Sequence, residues 1–74
     1  MRQPKKRTKS FRELLEKYLQ IKGLDIVLVL ETGEEIELYK NREIIDDILV
    51  SNDIHLGEMR IPIVDIKSVD MYAA

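Results

Sequence analysis

Residues 54–71 constrain the fold more than any other part of the chain. They read Ile-His-Leu-Gly-Glu-Met-Arg-Ile-Pro-Ile-Val-Asp-Ile-Lys-Ser-Val-Asp-Met. That order predicts two short strands around Gly57-Glu58, a one-turn connector at Val64-Asp65-Ile66, and a closing strand. A hairpin, a tight helical turn and a last strand returning to the start of the sheet is how a small barrel closes. Pro62 has no N–H to give to a ladder, so it belongs at an edge or a strand end.

The chain has 74 residues, no cysteine and one histidine. One domain is the most this length holds. A domain of this size buries only about 60% of its unfolded surface, so it is marginal alone. Disulfides and thiolate metal sites are excluded together, and one histidine argues against zinc. Self-association is the remaining way to bury more surface. No apolar run approaches the roughly 18 residues of a membrane helix. The basic start runs into Ser10-Phe11-Arg12-Glu13, which is not the apolar core of a signal peptide. A cytoplasmic protein is therefore expected.

The net charge of −2 conceals two opposite parts. Residues 1–9 carry Arg2, Lys5, Lys6, Arg7 and Lys9 without an acid, and the rest carries seven bases against fourteen acids. The first nine residues, charged and without periodicity, are expected to be a disordered basic tail; residues 10–74 make the domain.

Ser10 and Glu13 have the spacing of a capping box. Phe11, Leu14, Leu15, Tyr18 and Leu19 recur at helical spacing, which predicts an amphipathic helix over 10–20 that stops at Gly23. Residues 25–31 predict a strand covered on both faces, with Ile26, Leu28 and Leu30 one way and Val27 and Val29 the other. Thr32-Gly33 predicts a two-residue turn. In residues 34–39 Ile36 and Leu38 point inward and Glu35 and Glu37 outward; Lys40-Asn41-Arg42 is the next turn. Residues 44–51 fit a bent strand, with a short helix as the alternative, and Ser51-Asn52-Asp53 is a turn.

One helix followed by five short strands, with a one-turn connector before the last, resembles a small SH3-like barrel. A helix leading straight into the first strand is similar to the Sm-like proteins, the bacterial Hfq group in particular. The helix, the hairpin of residues 26–37 and the segment Val64-Asp65-Ile66-Lys67-Ser68-Val69 carry the likeness. It implies a mainly β, ring-forming barrel that binds RNA. The family's uridine-binding Lys-His pair falls where Ile63-Val64 stand, so the ring is implied and the nucleotide pocket is not.

Read for chemistry, the basic tail could contact phosphates or only solubilise. The RNA-contacting set is Arg2, Lys5, Lys6, Arg7, Lys9 and Arg12, with Tyr39 as the base-stacking candidate. Phe11 and Tyr18 belong to the core stripe. His55 reads as a surface imidazole, Glu31, Glu34, Glu35 and Glu37 as a solvated face, and Asp46-Asp47 as a solvent-facing turn. With no nucleophile–base pair or metal set, neither catalysis nor a cofactor is expected. The expected partner is single-stranded RNA, and the expected assembly is a homo-oligomer in which the Ile48–Val50 edge meets the Met59–Ile63 edge of the next subunit. A protein-interaction module on the same barrel is the competing expectation.

Overall fold

The computed structural model describes residues 9–73. It is mainly β: one helix, then six strands in two small antiparallel sheets. Helix α1 spans Lys9–Leu19, β1 Leu24–Leu30, β2 Glu35–Glu37, β3 Asn41–Ile45, β4 Ile48–Asp53 and β5 Gly57–Pro62. A single 3-10 turn at Ile63–Asp65 precedes β6, Ile66–Ala73. The first sheet has the order β2-β1-β6 and the second β3-β4-β5.

Helix α1 follows its apolar spacing. Leu15 and Leu19 are buried, with Phe11 and Tyr18 packed beside them. Ser10 lies inside the helix rather than capping it. Gly23 is not the stop either: the helix ends at Leu19 and tightens through Gln20 N–H to Lys17 O and Ile21 N–H to Tyr18 O.

Strand β1 is the middle of its sheet. Ile26 and Leu28 are buried on the inner face, while Val27 and Val29 on the other are half-buried rather than covered. The turn into β2 is one residue longer than expected. Leu30 and Glu34 pair across Glu31-Thr32-Gly33, and Gly33 takes a φ of 94° that glycine adopts without a Cβ penalty.

The largest departure lies in residues 38–53. The second strand stops at Glu37 and a separate strand starts at Asn41. Residues 44–51 are neither one bent strand nor a helix. Asp46 and Asp47, with φ of 51° and 63°, turn the chain back in two residues between β3 and β4. Positive φ at both central residues is the hairpin turn that matches strand twist, and Asp tolerates it better than most residues. Ser51-Asn52-Asp53 is not a turn but the end of β4; the turn is Ile54–Leu56, with β5 beginning at Gly57. Six strands therefore replace the five expected, and they form two sheets of three.

Leu15 and Leu19 meet Ile26 and Leu28 of the first sheet and Leu49 and Ile61 of the second in one buried cluster that includes Leu38 and Ile66. Two connections tie the sheets. At Leu38–Tyr39 the chain crosses over: Leu38 N–H bonds Ile26 O in the first sheet, and Tyr39 N–H bonds Ser51 Oγ in the second at 2.8 Å. At the 3-10 turn, Ile63 N–H bonds Asp47 O and Glu31 N–H bonds Asp65 O. Pro62 ends β5 and leads into that turn, the strand-end position expected of it.

Candidate nucleic-acid interface

Of the seven residues expected to contact RNA, Arg2, Lys5, Lys6 and Arg7 lie outside the described residues. Lys9 opens α1. Arg12, one turn on, is held at 2.6 Å by Asp47 of the β3–β4 turn. Both side chains are substantially exposed, so the pair is a weak, salt-screened contact. It fixes the start of α1 beside the turn of the second sheet.

Tyr39 is not on the outward face of a strand. It sits half-buried in the crossover between β2 and β3, beside the wholly buried Ser51. Ser51 is four strand residues from Asp47, roughly 13 Å at about 3.3 Å per residue. The structure therefore separates Tyr39 from Arg12 rather than joining them in one site.

The acids lie where alternation put them. Glu31, Glu34, Glu35 and Glu37 are exposed. In register, Val27 lies between Glu37 and Asp70, and Val29 between Glu35 and Ser68. The outer face of the first sheet is thus a half-buried valine pair rimmed by carboxylates, and it repels phosphate. Among the described residues no group of three or more His, Cys, Asp or Glu is placed to hold a metal ion. No described helix is long and apolar enough to cross a membrane.

Arg42, assigned to a turn by its neighbours, is the residue that sequence reasoning missed. It is 8% exposed in β3. Its Nε donates to Leu19 O at 3.1 Å, and Nη2 donates to Ile21 O at 2.7 Å and Leu24 O at 2.8 Å. These are the carbonyls of the last residue of α1, of the turn after it and of the first residue of β1; at the helix end a cation is favoured. Burial lowers the guanidinium pKa from its ordinary value, and the nearby Asp25 carboxylate opposes that. The group still stays charged. Nη1 is buried without a hydrogen-bond partner. Arg42 is structural: it locks the end of the helix and the start of β1 to the second sheet.

Ile63-Val64, where the resemblance to Sm-like proteins would set a uridine-binding pair, lies at the start of the 3-10 turn. Ile63 is buried and Val64 exposed, and neither offers a hydrogen bond to a base. Comparison with family models, curated proteins and solved structures finds no match to this chain.

Proposed function

We propose that this chain is a non-catalytic, Sm-like small-barrel protein that self-associates through edge strands and binds single-stranded RNA through its basic N-terminal segment and the start of α1. The observation that carries the reading is strand order. Followed through the crossover at residues 38–40, the strands run β6-β1-β2, then β3-β4-β5. A small barrel with one sharply bent second strand has this order, with a helix in front and a 3-10 turn before the last strand.

The sheet order revises the expected assembly. Ile48–Val50 belongs to β4, which is flanked by β3 and β5 within the chain and offers no edge. β2, β3, β5 and β6 each pair on one side only; we take β5 and β6, the two ends of the order followed through the crossover, as the strands that meet between subunits. Charge supports the choice of RNA-facing side: carboxylates rim the outer sheet, so a polyanion is directed to the basic end.

Fluorescence anisotropy with a single-stranded RNA tests the reading, using the full chain and a form lacking residues 1–9. The six basic groups of the proposed set give a slope of log K against log salt of at most about −4.2 on single strands. The shortened form should bind far more weakly. Absence of binding at low salt would leave the second reading, a protein-interaction module, which the carboxylate-rimmed valine face favours. Light scattering decides the assembly, and a monomer up to millimolar concentration would refute it.

A further inference from the structure

One surface feature is an apolar groove of about 340 Å³ where α1 overlies β6. Phe11, Leu14 and Tyr18 line it from the helix and Val69 and Met71 from the strand. Leu14 is 47% exposed there, although it belongs to the apolar stripe. Lys67 stands in the lining as well. The ladder explains its position: Val29 pairs with Ser68 and Leu30 with Ile66, so Lys67 is the extra residue of a β-bulge. The bulge puts Ile66 in the core and leaves Lys67 exposed with no ion-pair partner among the described residues.

The second feature is the β4–β5 turn. Ile54 is 91% exposed and Leu56 70% exposed. Neither is loosely held: Asp53 Oδ1 accepts from His55 N at 2.7 Å and from Leu56 N at 3.0 Å. A turn fixed by its own carboxylate presents two aliphatic side chains with little ordering left to lose on binding. Adjacent exposed aliphatics of this kind mark a contact surface more than isolated ones do. Asp53 flanks this knob with negative charge, while Glu58 on its other side is paired with Arg60.

The geometry points to insertion of the Ile54/Leu56 turn of one copy into the α1–β6 groove of a second copy. The chain carries both halves of the contact, an apolar knob beside the Asp53 carboxylate and an apolar groove whose Lys67 has no ion-pair partner among the described residues. The two patches are different surfaces, so the contact is head-to-tail and can propagate. One turn in one groove buries less than the roughly 1,200 Å² of stable complexes, which places it in the weak, concentration-dependent class. The contact does not rest on the Sm-like reading, because it uses neither free strand edge.

Sedimentation velocity on the full chain, from micromolar to millimolar concentration, tests it with two variants. Ile54→Asp/Leu56→Asp removes the knob and Leu14→Glu disables the groove; circular dichroism checks that each is folded, and Leu14→Gln replaces a groove variant that melts early. Each alone should weaken knob-dependent association by at least about tenfold. Mixed together, the two variants should pair through the one intact knob and the one intact groove and stop there. Edge-strand assembly, if present, persists in both variants, so its failure is distinguishable. Association unchanged by either substitution assigns the groove to another occupant and overturns the proposal, as does a mixture that fails to pair.

Discussion

Replacing Arg42 with methionine should destabilise the fold by about 3 kcal/mol, because a charged donor would vanish from a buried site that keeps its acceptors. The substitution retains the apolar stem and so isolates the guanidinium. Three carbonyls lose the guanidinium, those of Leu19, Ile21 and Leu24, and of these Ile21 O keeps the Leu24 N–H. Hydrogen bonds from a charged donor contribute about 1.5–3 kcal/mol each, or about 4.5–9 in all. Two terms offset that sum. The guanidinium is desolvated, at several kcal/mol in sites of this kind, and its Nη1 has no hydrogen-bond partner. Ile21, on the exposed side of the turn, also regains water when the arginine is gone. A chain of this length has a total stability of about 4–11 kcal/mol, so a loss of about 3 is a large part of it and lowers Tm by roughly 12–24 °C. Thermal and urea unfolding followed by circular dichroism measure it. Arg42→Lys should fall between the two, since a compact ammonium cannot fork onto three carbonyls. If Arg42→Met lies within about 1 kcal/mol of the parent, then the helix end is solvated without the arginine and the locking argument fails.

Ser51→Ala should cost about 1–3 kcal/mol in urea unfolding, because the half-buried Tyr39 N–H at the crossover loses the Ser51 hydroxyl as its acceptor; a change below about 0.5 would mean that water replaces the hydroxyl. Exchanging Asp46-Asp47 for Asn-Gly should raise stability by a few tenths to about 1 kcal/mol, since glycine accepts the second positive φ freely. The exposed Arg12–Asp47 pair is lost in the exchange and subtracts less than about 1 kcal/mol. A fall in Tm would show that the ion pair outweighs turn strain.

The sequence exposed the elements whose signal is local. The spacing of Phe11, Leu15, Tyr18 and Leu19 marked α1 and its buried face, and alternation sorted Ile36 and Leu38 from Glu35 and Glu37. Pro62 and the residues after it marked the end of β5 and the connector to within one residue. What stayed hidden was set by distant partners. Arg42 looks like a turn residue until the end of α1 lies against β3. Nothing in Ser51-Asn52-Asp53 says that the serine hydroxyl will serve a backbone N–H from the neighbouring crossover. Asp46-Asp47 was legible as a solvent-facing turn, but the hairpin around it was concealed because Ile44, Ile45, Ile48 and Leu49 mimic helical spacing when a two-residue turn separates two pairs of strand residues. The bulge at Lys67 follows from pairing with β1, since simple alternation would send that lysine inward with Val69 and Met71. The expected RNA-contacting set was legible only as composition; the structure splits its one aromatic from its helix arginine.

The division of charge makes its own prediction about RNA. A basic segment attached to an acidic body attracts and repels the same polyanion, and ionic strength decides how far the repulsion reaches. At physiological salt the screening length is about 8 Å, so carboxylates on the outer sheet act little beyond their own face. Near 0.01 M it is about 30 Å, comparable with the whole domain, and those carboxylates oppose binding at the other end. Log K against log salt should therefore flatten at the low-salt end instead of continuing its rise. Converting Glu35→Gln, Glu37→Gln and Asp70→Asn together neutralises the carboxylates that rim Val27 and Val29 in register. The triple variant should bind single-stranded RNA more tightly at low salt, straighten the plot, and match the parent above about 0.1 M, where screening hides the face. An equal gain in affinity at every salt concentration would mean that RNA touches the outer sheet directly, and the assignment of binding to the basic end would fall.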